Sequence, residues 1–497
     1  MSTPIESYAA IDLGSNSFHM IVANLVDGRI QIVDRIKDPV RLAGGLDESL
    51  ELSMEASNRA MECLGRFRQR IKEIPLANIR AVGTNTLRKA KNSRKFLKSA
   101  NLALGHPVEI ISGREEARLV FLGVANTVYN ETDKRLVVDI GGGSTEVVIG
   151  QGYNAEYTES LEMGCVSMSA RYFPNGEVTT KKMRKAILTA RQDLEFIEMM
   201  YKKAGWDTAI GTSGTILSIQ KLILEKGWSD SRITNDALQK LKKEIIDAGH
   251  IDLFTSESLS TIRRQVITGG IAILCAVFDA LELKEMDISD GALREGLLHD
   301  LIGRLHDQDI REKTVADMAK RYQVDEIHAD HIERTVVYCF EQLQKEFGLN
   351  HDTDLKLLRW SARLHEIGLA ISHNQYHRHG AYLLINSDLS GFTHQEQFIL
   401  AMLVRCHRRK FPLEEMASIS EEDKDRLLIL IIIFRLSVVL NRGRTIASLP
   451  EFKLKCKKDL ITIMFPENWL QDHPLTLADL DTEVGYFSAI RYNLTYK

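Results

Sequence analysis

Hydrophobic and polar positions in the first third of the chain switch between a two-residue and a helical period. Residues 8–13 and 18–25 are strand-like runs on either side of the polar insert Gly14-Ser15-Asn16-Ser17. That pattern predicts a hairpin closed by a glycine-containing turn. Residues 31–36 predict another strand. From 53 to 74 the spacing is helical, with Ser53 placed as the N-cap and Pro75 marking the end. A strand at 79–83, a helix to about 104, a strand at 108–112 and a helix from Glu115 complete an α/β unit. The interleaving predicts a mixed sheet covered by helices.

The opening pattern then recurs. A strand at 135–138 leads into Asp139-Ile140-Gly141-Gly142-Gly143-Ser144-Thr145, and residues 146–150 form the return strand. Both turns follow a strand that ends in Asp and an apolar residue, and Asp12 and Asp139 lie 127 residues apart. This predicts duplicated domains facing each other across a cleft. A helix at about 181–204 closes on Gly205, and a strand runs into Gly211-Thr212-Ser213-Gly214-Thr215. Beyond 305 strand signals nearly vanish, and 11 of the 15 histidines lie from His306 onward. The expected division is 1–125, 126–305, a helical 306–445 and a small β-containing tail at 446–497.

Composition narrows the class. Lys and Arg total 64 against 68 Asp and Glu, a formal charge of −4, so any polyanion site must be local. No nucleic-acid partner is indicated, and peripheral membrane association is not readable. Six scattered cysteines without a CxxC pair fit reduced thiols. The longest apolar run, 427–440, is broken by Arg435 and is too short to span a bilayer. With no secretory signal pattern at the N-terminus, a soluble cytoplasmic protein is expected.

Glycine turns of this kind present successive backbone N–H groups to an anion, and their Ser and Thr add hydroxyl donors. An Asp ending the preceding strand would repel phosphate. It makes sense if it holds a divalent metal that bridges to the phosphate, and both Asp12 and Asp139 fit. Glu115 and Glu116 begin a helix, where acids complement the macrodipole. Glu116 becomes a candidate base for water only if the cleft is real. Arg88, after Gly83-Thr84-Asn85-Thr86-Leu87, is either a phosphate clamp or a solvated helix-start residue. Histidines on the later helices are either metal ligands or part of a polyanion-binding face. The run Arg405, His407, Arg408, Arg409, Lys410 is a positive patch or a solvated surface.

Six ordered blocks carry a resemblance over essentially the whole chain. They are DLGSNSFHM at 12–20, GTNTLR at 83–88, SGREEARL at 112–119, DIGGGSTE at 139–146, GTSGT at 211–215 and SDGALREG at 289–296. Together they are similar to the exopolyphosphatase/guanosine pentaphosphate phosphatase family. The resemblance implies an α/β fold of two actin-like domains of the sugar-kinase and heat-shock ATPase type. An all-α HD-like domain and a small α+β C-terminal domain would follow. It implies Glu116 as the catalytic base, with Asp139 and Glu146 as magnesium-associated acids beside the Asp12 candidate read from the turn. Ser15, Asn16, Ser17, Gly141, Gly142, Gly143, Ser144 and Thr145 match the phosphate loops, and Arg88 and Arg263 match phosphate-contacting arginines. HD enzymes use His-Asp and a later Asp as ligands. This chain has His365-Glu366 and Asn441, so the helical region is expected to bind and dimerise rather than catalyse.

GTNTLR, HRHGAYLL at 377–384 and LVRCHRR at 403–409 look closer to the exopolyphosphatase branch. The expected activity is therefore hydrolysis of terminal phosphate from inorganic polyphosphate, with guanosine pentaphosphate as the alternative substrate. Arg378, Arg405, Arg408, Arg409 and Lys410 would hold the polyphosphate tail, and two chains are expected to pair. An ATP-dependent phosphotransferase and a non-catalytic nucleotide sensor are the rival classes; Glu116 favours water as acceptor.

Overall fold

The computed structural model describes residues 6–26, 29–127, 133–305, 309–416, 421–444 and 449–497. The chain divides into two compact units, residues 1–309 and 310–497. Residues 306–308, inside the expected boundary region, lie outside the described residues.

The first unit carries two sheets built on one plan. Strands β1 (Glu6–Leu13), β2 (Phe18–Val26), β3 (Arg29–Asp38), β4 (Ile79–Gly83) and β5 (Val108–Ile110) are ordered β3-β2-β1-β4-β5. Strands β6 (Lys134–Ile140), β7 (Thr145–Gln151), β8 (Asn154–Leu161), β9 (Thr208–Thr212), β10 (Ile233–Thr234) and β11 (Glu285–Ile288) follow in the second sheet. Its order is β8-β7-β6-β9-β11, with β10 added at the edge. In both sheets an antiparallel three-strand meander leads into parallel strands. The duplication read from the two turns is thus a duplication of topology. The meander strand β8 was not foreseen. Its exposed and half-buried pattern, with one fully buried position at Leu161, gives little apolar alternation to read.

Local choices agree with this plan. Ser53 accepts from Ala56 N at 3.3 Å and caps helix Met54–Ile71. Ser112 likewise accepts from Glu115 N at 3.1 Å, which starts helix Gly113–Ala125 two residues before the predicted point. That helix packs on helix Leu293–Leu305 so closely that a Cβ at Gly296 would lie 1.8 Å from the Leu119 carbonyl oxygen. A buried ionic knot joins the same elements: Asp300 accepts from Arg80, Arg118 and Arg304.

The second unit is mostly helical and carries a three-stranded sheet, β12 (Lys453–Lys457), β13 (Leu460–Met464) and β14 (Asn493–Tyr496). Its apolar core runs without a break from Phe340 and Trp360 to Ile461 and Phe487. Arg435, which interrupts the long apolar run, is fully buried. It is neutralised by Glu483 and donates to the carbonyl oxygens of Cys406 and Arg409, each at 2.6 Å. Among the described residues no helix is long and apolar enough to cross a membrane.

Candidate active site

Hairpin register places the first acids. In the antiparallel pair β6–β7, Asp139 lies directly opposite Glu146, so both carboxylates project from one face of the sheet. In the matching pair β1–β2, Asp12 lies opposite His19. The duplicated hairpins have therefore diverged: one presents two acids, the other an acid and an imidazole.

The two glycine turns meet. A Cβ on Gly142 would sit 3.3 Å from Ser15 Cβ and 3.4 Å from Asn16 Cβ, and one on Gly143 would lie 2.6 Å from Asn85 Oδ1. Only glycine allows this approach. Ser15 is held from behind by Thr86, whose hydroxyl donates to its Oγ at 2.8 Å. Gly141 N donates to Ser144 O at 2.9 Å and tightens the second turn. A third turn arrives with β9. Ser213 takes φ 81°, a strained value for a side-chain-bearing residue, and opens helix Ser213–Glu225 toward the same space.

These elements enclose a cleft of about 400 Å³. Asp12, Glu116, Asp139 and Glu146 line it together with Arg263, Arg294 and Lys37. Gly214 makes room for Arg263, whose guanidinium nitrogen would be 1.9 Å from any Cβ there. Burial and the charge of Glu116 push the Asp139 carboxyl up to about 7. Burial, with Glu116 and Asp139 nearby, holds Glu146 well above the usual carboxylate range. Asp12 is raised in the same way by burial and by Glu116. Beside Asp12, burial and the Arg294 charge push His19 down to about 3, so its imidazole stays neutral. Its Nδ1 accepts from Arg294 Nη1 at 2.8 Å.

Most of the residues singled out in the sequence converge on this cleft. Ser15, Asn16, Ser17, Gly141, Gly142, Gly143, Ser144 and Arg263 line it. Two sit differently. Thr145 is fully buried and donates to Met163 O at 2.7 Å, bracing the turn from inside. Arg88 donates to Glu116 Oε2 at 2.8 Å and to Ile111 O at 3.0 Å. Glu115 does more than complement a helix dipole: it is buried and held by both ends of Arg118 at 2.7 and 2.8 Å. His19, Lys37, Ser213 and Arg294 were not singled out. His19, Ser213 and Arg294 lie inside three of the six sequence blocks, which was the available signal.

The basic run of the second unit is not a uniform exposed face. Arg405 is buried and paired with Glu415 at 3.1 Å. His407 is fully buried, and Arg408 stacks its guanidinium 4.5 Å from the centre of the Tyr376 ring. Arg378, Arg409 and Lys410 are exposed.

Fold and site together define an α/β phosphatase. The chain belongs to the Ppx/GppA phosphatase family, which matches residues 21–305, with domain III of the same phosphatases matching 310–484. It is 40% identical over 480 residues to a guanosine-5'-triphosphate,3'-diphosphate pyrophosphatase of Aeromonas hydrophila, covering 96% of each chain. The enzyme of that name from Vibrio cholerae is 40% identical over 496 residues, covering 100% of this chain and 98% of its own. An exopolyphosphatase structure from Cytophaga hutchinsonii superposes with TM-score 0.55 at 23% identity, covering 60% of this chain and 98% of that one. The Aquifex aeolicus PPX-GPPA enzyme gives TM-score 0.51 at 27% identity, covering 59% and 99%.

These full-length relatives correct the expected activity. Exopolyphosphatase as the main reading gives way to the guanosine pentaphosphate alternative. The blocks that favoured polyphosphate owe part of their character to packing. HRHGAYLL contributes the buried His377 and LVRCHRR the buried Arg405 and His407, whereas GTNTLR reaches the cleft through Thr84. The polyphosphate-tail role given to Arg378, Arg405, Arg408, Arg409 and Lys410 goes with that reading.

Proposed function

We propose that this chain hydrolyses the terminal phosphoanhydride of guanosine-5'-triphosphate,3'-diphosphate, releasing orthophosphate and leaving guanosine-5'-diphosphate,3'-diphosphate. The observation that carries the substrate is the 40% identity to pyrophosphatases of that compound across 96% or more of both chains. The site supports the chemistry. Glu116 is the base: Arg88 fixes its Oε2, and Oε1 is left to accept a proton from water. The water oxygen then bonds to the terminal phosphorus, the bond to the bridging oxygen breaks, and the proton passes to Glu116. Turn N–H groups, Ser15, Ser17 and Ser144 hold the phosphate oxygens, and Arg263 and Arg294 balance their charge.

Magnesium fits the acidic wall. Asp12 Oδ1 is a buried oxygen without a hydrogen-bond partner, and it shares the cleft with the carboxylates of Glu116, Asp139, Glu146 and Asp290. Asp12, Asp139 and Glu146 would hold the ion, which when bound offsets the charge of acids and phosphate alike. The six cysteines are unpaired, which supports a reducing, cytoplasmic location. Pairing of two chains, implied by the family resemblance, is read by sedimentation. The test of function is product analysis: the purified chain with magnesium should convert guanosine pentaphosphate to the tetraphosphate plus orthophosphate in equal amounts. Release of pyrophosphate instead, or no release, would reject it.

A further inference from the structure

The acid that ends the expected ligand set of the second unit is replaced by Asn441, whose amide is occupied. It donates to Thr335 Oγ1 and to Ser437 O, both at 2.8 Å. The other two members of that set, His365 and Glu366, are joined instead by His328. His328 lies in the first turn of helix Glu326–Phe347, and His365 and Glu366 directly follow helix Lys356–Leu364. One ligand atom from each falls within 4.8 Å of the others, and all three side chains are buried, with His365 only 1% exposed.

We propose that this trio binds a transition-metal ion of the zinc class. The protonation pattern points there. His365 Nδ1 lies 2.8 Å from the Ala362 carbonyl oxygen, which only accepts, so Nδ1 carries the hydrogen. Its Nε2 is then a bare lone pair, 3.9 Å from Glu366 Oε1 and with no hydrogen-bond donor facing it. His328 Nδ1 is a second buried nitrogen without a partner, on a ring 5.5 Å from that of His365. Two orphaned nitrogens beside one carboxylate are rare in a folded interior, and a metal ion satisfies them at once.

The donor types select the ion. Two imidazoles and a carboxylate suit zinc and leave a position for water, whereas magnesium prefers an all-oxygen shell. Supporting contacts are built in. Asp325 caps the His328 helix by accepting from His328 N at 3.0 Å, and Arg444 bridges Asp325, at 2.9 Å, to Glu366 Oε1. Arg444 thus joins the two ligand-bearing segments.

The experiment strips the full-length protein with a chelator and titrates it with zinc, or with cobalt as the coloured probe. A large excess of magnesium occupies the acidic cleft meanwhile. The expected result is uptake of about one equivalent, with X-ray absorption showing two imidazoles on the metal. Uptake should persist in Asp139→Asn and vanish in His328→Gln and in His365→Gln. Failure of the unmutated protein to take up stoichiometric metal, a shell without imidazole, or full uptake by both histidine variants would overturn the assignment.

Discussion

Glu116 lies in an ordinary acidic first turn of a helix, and the proposed mechanism gives it the role of base. Arg88 pins one oxygen at 2.8 Å, and Asp12, Asp139 and Glu146 crowd the same cleft. Replacing Glu116 by Gln keeps shape and hydrogen bonding while removing the basic oxygen. Turnover should fall about 10²–10⁴-fold with KM little changed, as for loss of a general base; parent-like turnover would contradict the role. Burial, with the charge of Glu116, has a second consequence. Asp139 titrates near 7 in the fold against an ordinary value near 3.8, so the native state holds a proton that the unfolded chain releases. Its contribution to stability is complete below about pH 4 and is lost as pH rises through 7. Chelator-treated protein should therefore lose thermal stability across that interval, and magnesium should restore it by compensating the ionised carboxylates. A melting temperature indifferent to magnesium at pH 8 would count against the acids as its ligands. Asp12, Asp139 and the two turns were legible in the sequence because strand, acid and glycine occur at a repeated spacing. His19 was not: only the β1–β2 register puts it opposite Asp12, where the second hairpin has Glu146.

At the scale of elements, the helix that carries Glu116 is positioned from behind. Asp300 on helix Leu293–Leu305 gathers Arg80 from β4, Arg118 from the Glu116 helix and Arg304 from its own helix. Burial works to raise the Asp300 carboxyl, but the three guanidinium groups outweigh it and hold it below the usual range. Removing the charge by Asp300→Asn leaves Arg118 with Glu115 and Arg80 with Glu109, but takes away the buried carboxylate that all three arginines share. Breaking such a cluster costs about 3–5 kcal/mol, and denaturant unfolding should show a loss of that order. A loss under about 1 kcal/mol, the ordinary range for surface ion pairs, would mean the knot is replaceable. Nothing in local spacing announced it, since Arg80 and Asp300 lie 220 residues apart. Periodicity found the strands with clear apolar runs and the helices with caps. It passed over β8, β10, β11 and β14, which are short of buried positions.

For the whole molecule, the repeated sheet order places two hairpin turns and the start of helix Ser213–Glu225 around one cleft, and this was predictable from the duplicated motif. Substrate choice was not. The blocks that suggested polyphosphate contain residues such as Arg405 and His407, whose burial makes them packing features. Similarity at 40% identity through both units instead ties the chain to guanosine pentaphosphate pyrophosphatases. The most direct measurement compares kcat/KM for guanosine pentaphosphate and for long-chain polyphosphate, using one preparation of the full-length protein with magnesium. The account predicts a clear preference for guanosine pentaphosphate, abolished for both substrates in Glu116→Gln. A higher kcat/KM on polyphosphate would contradict it.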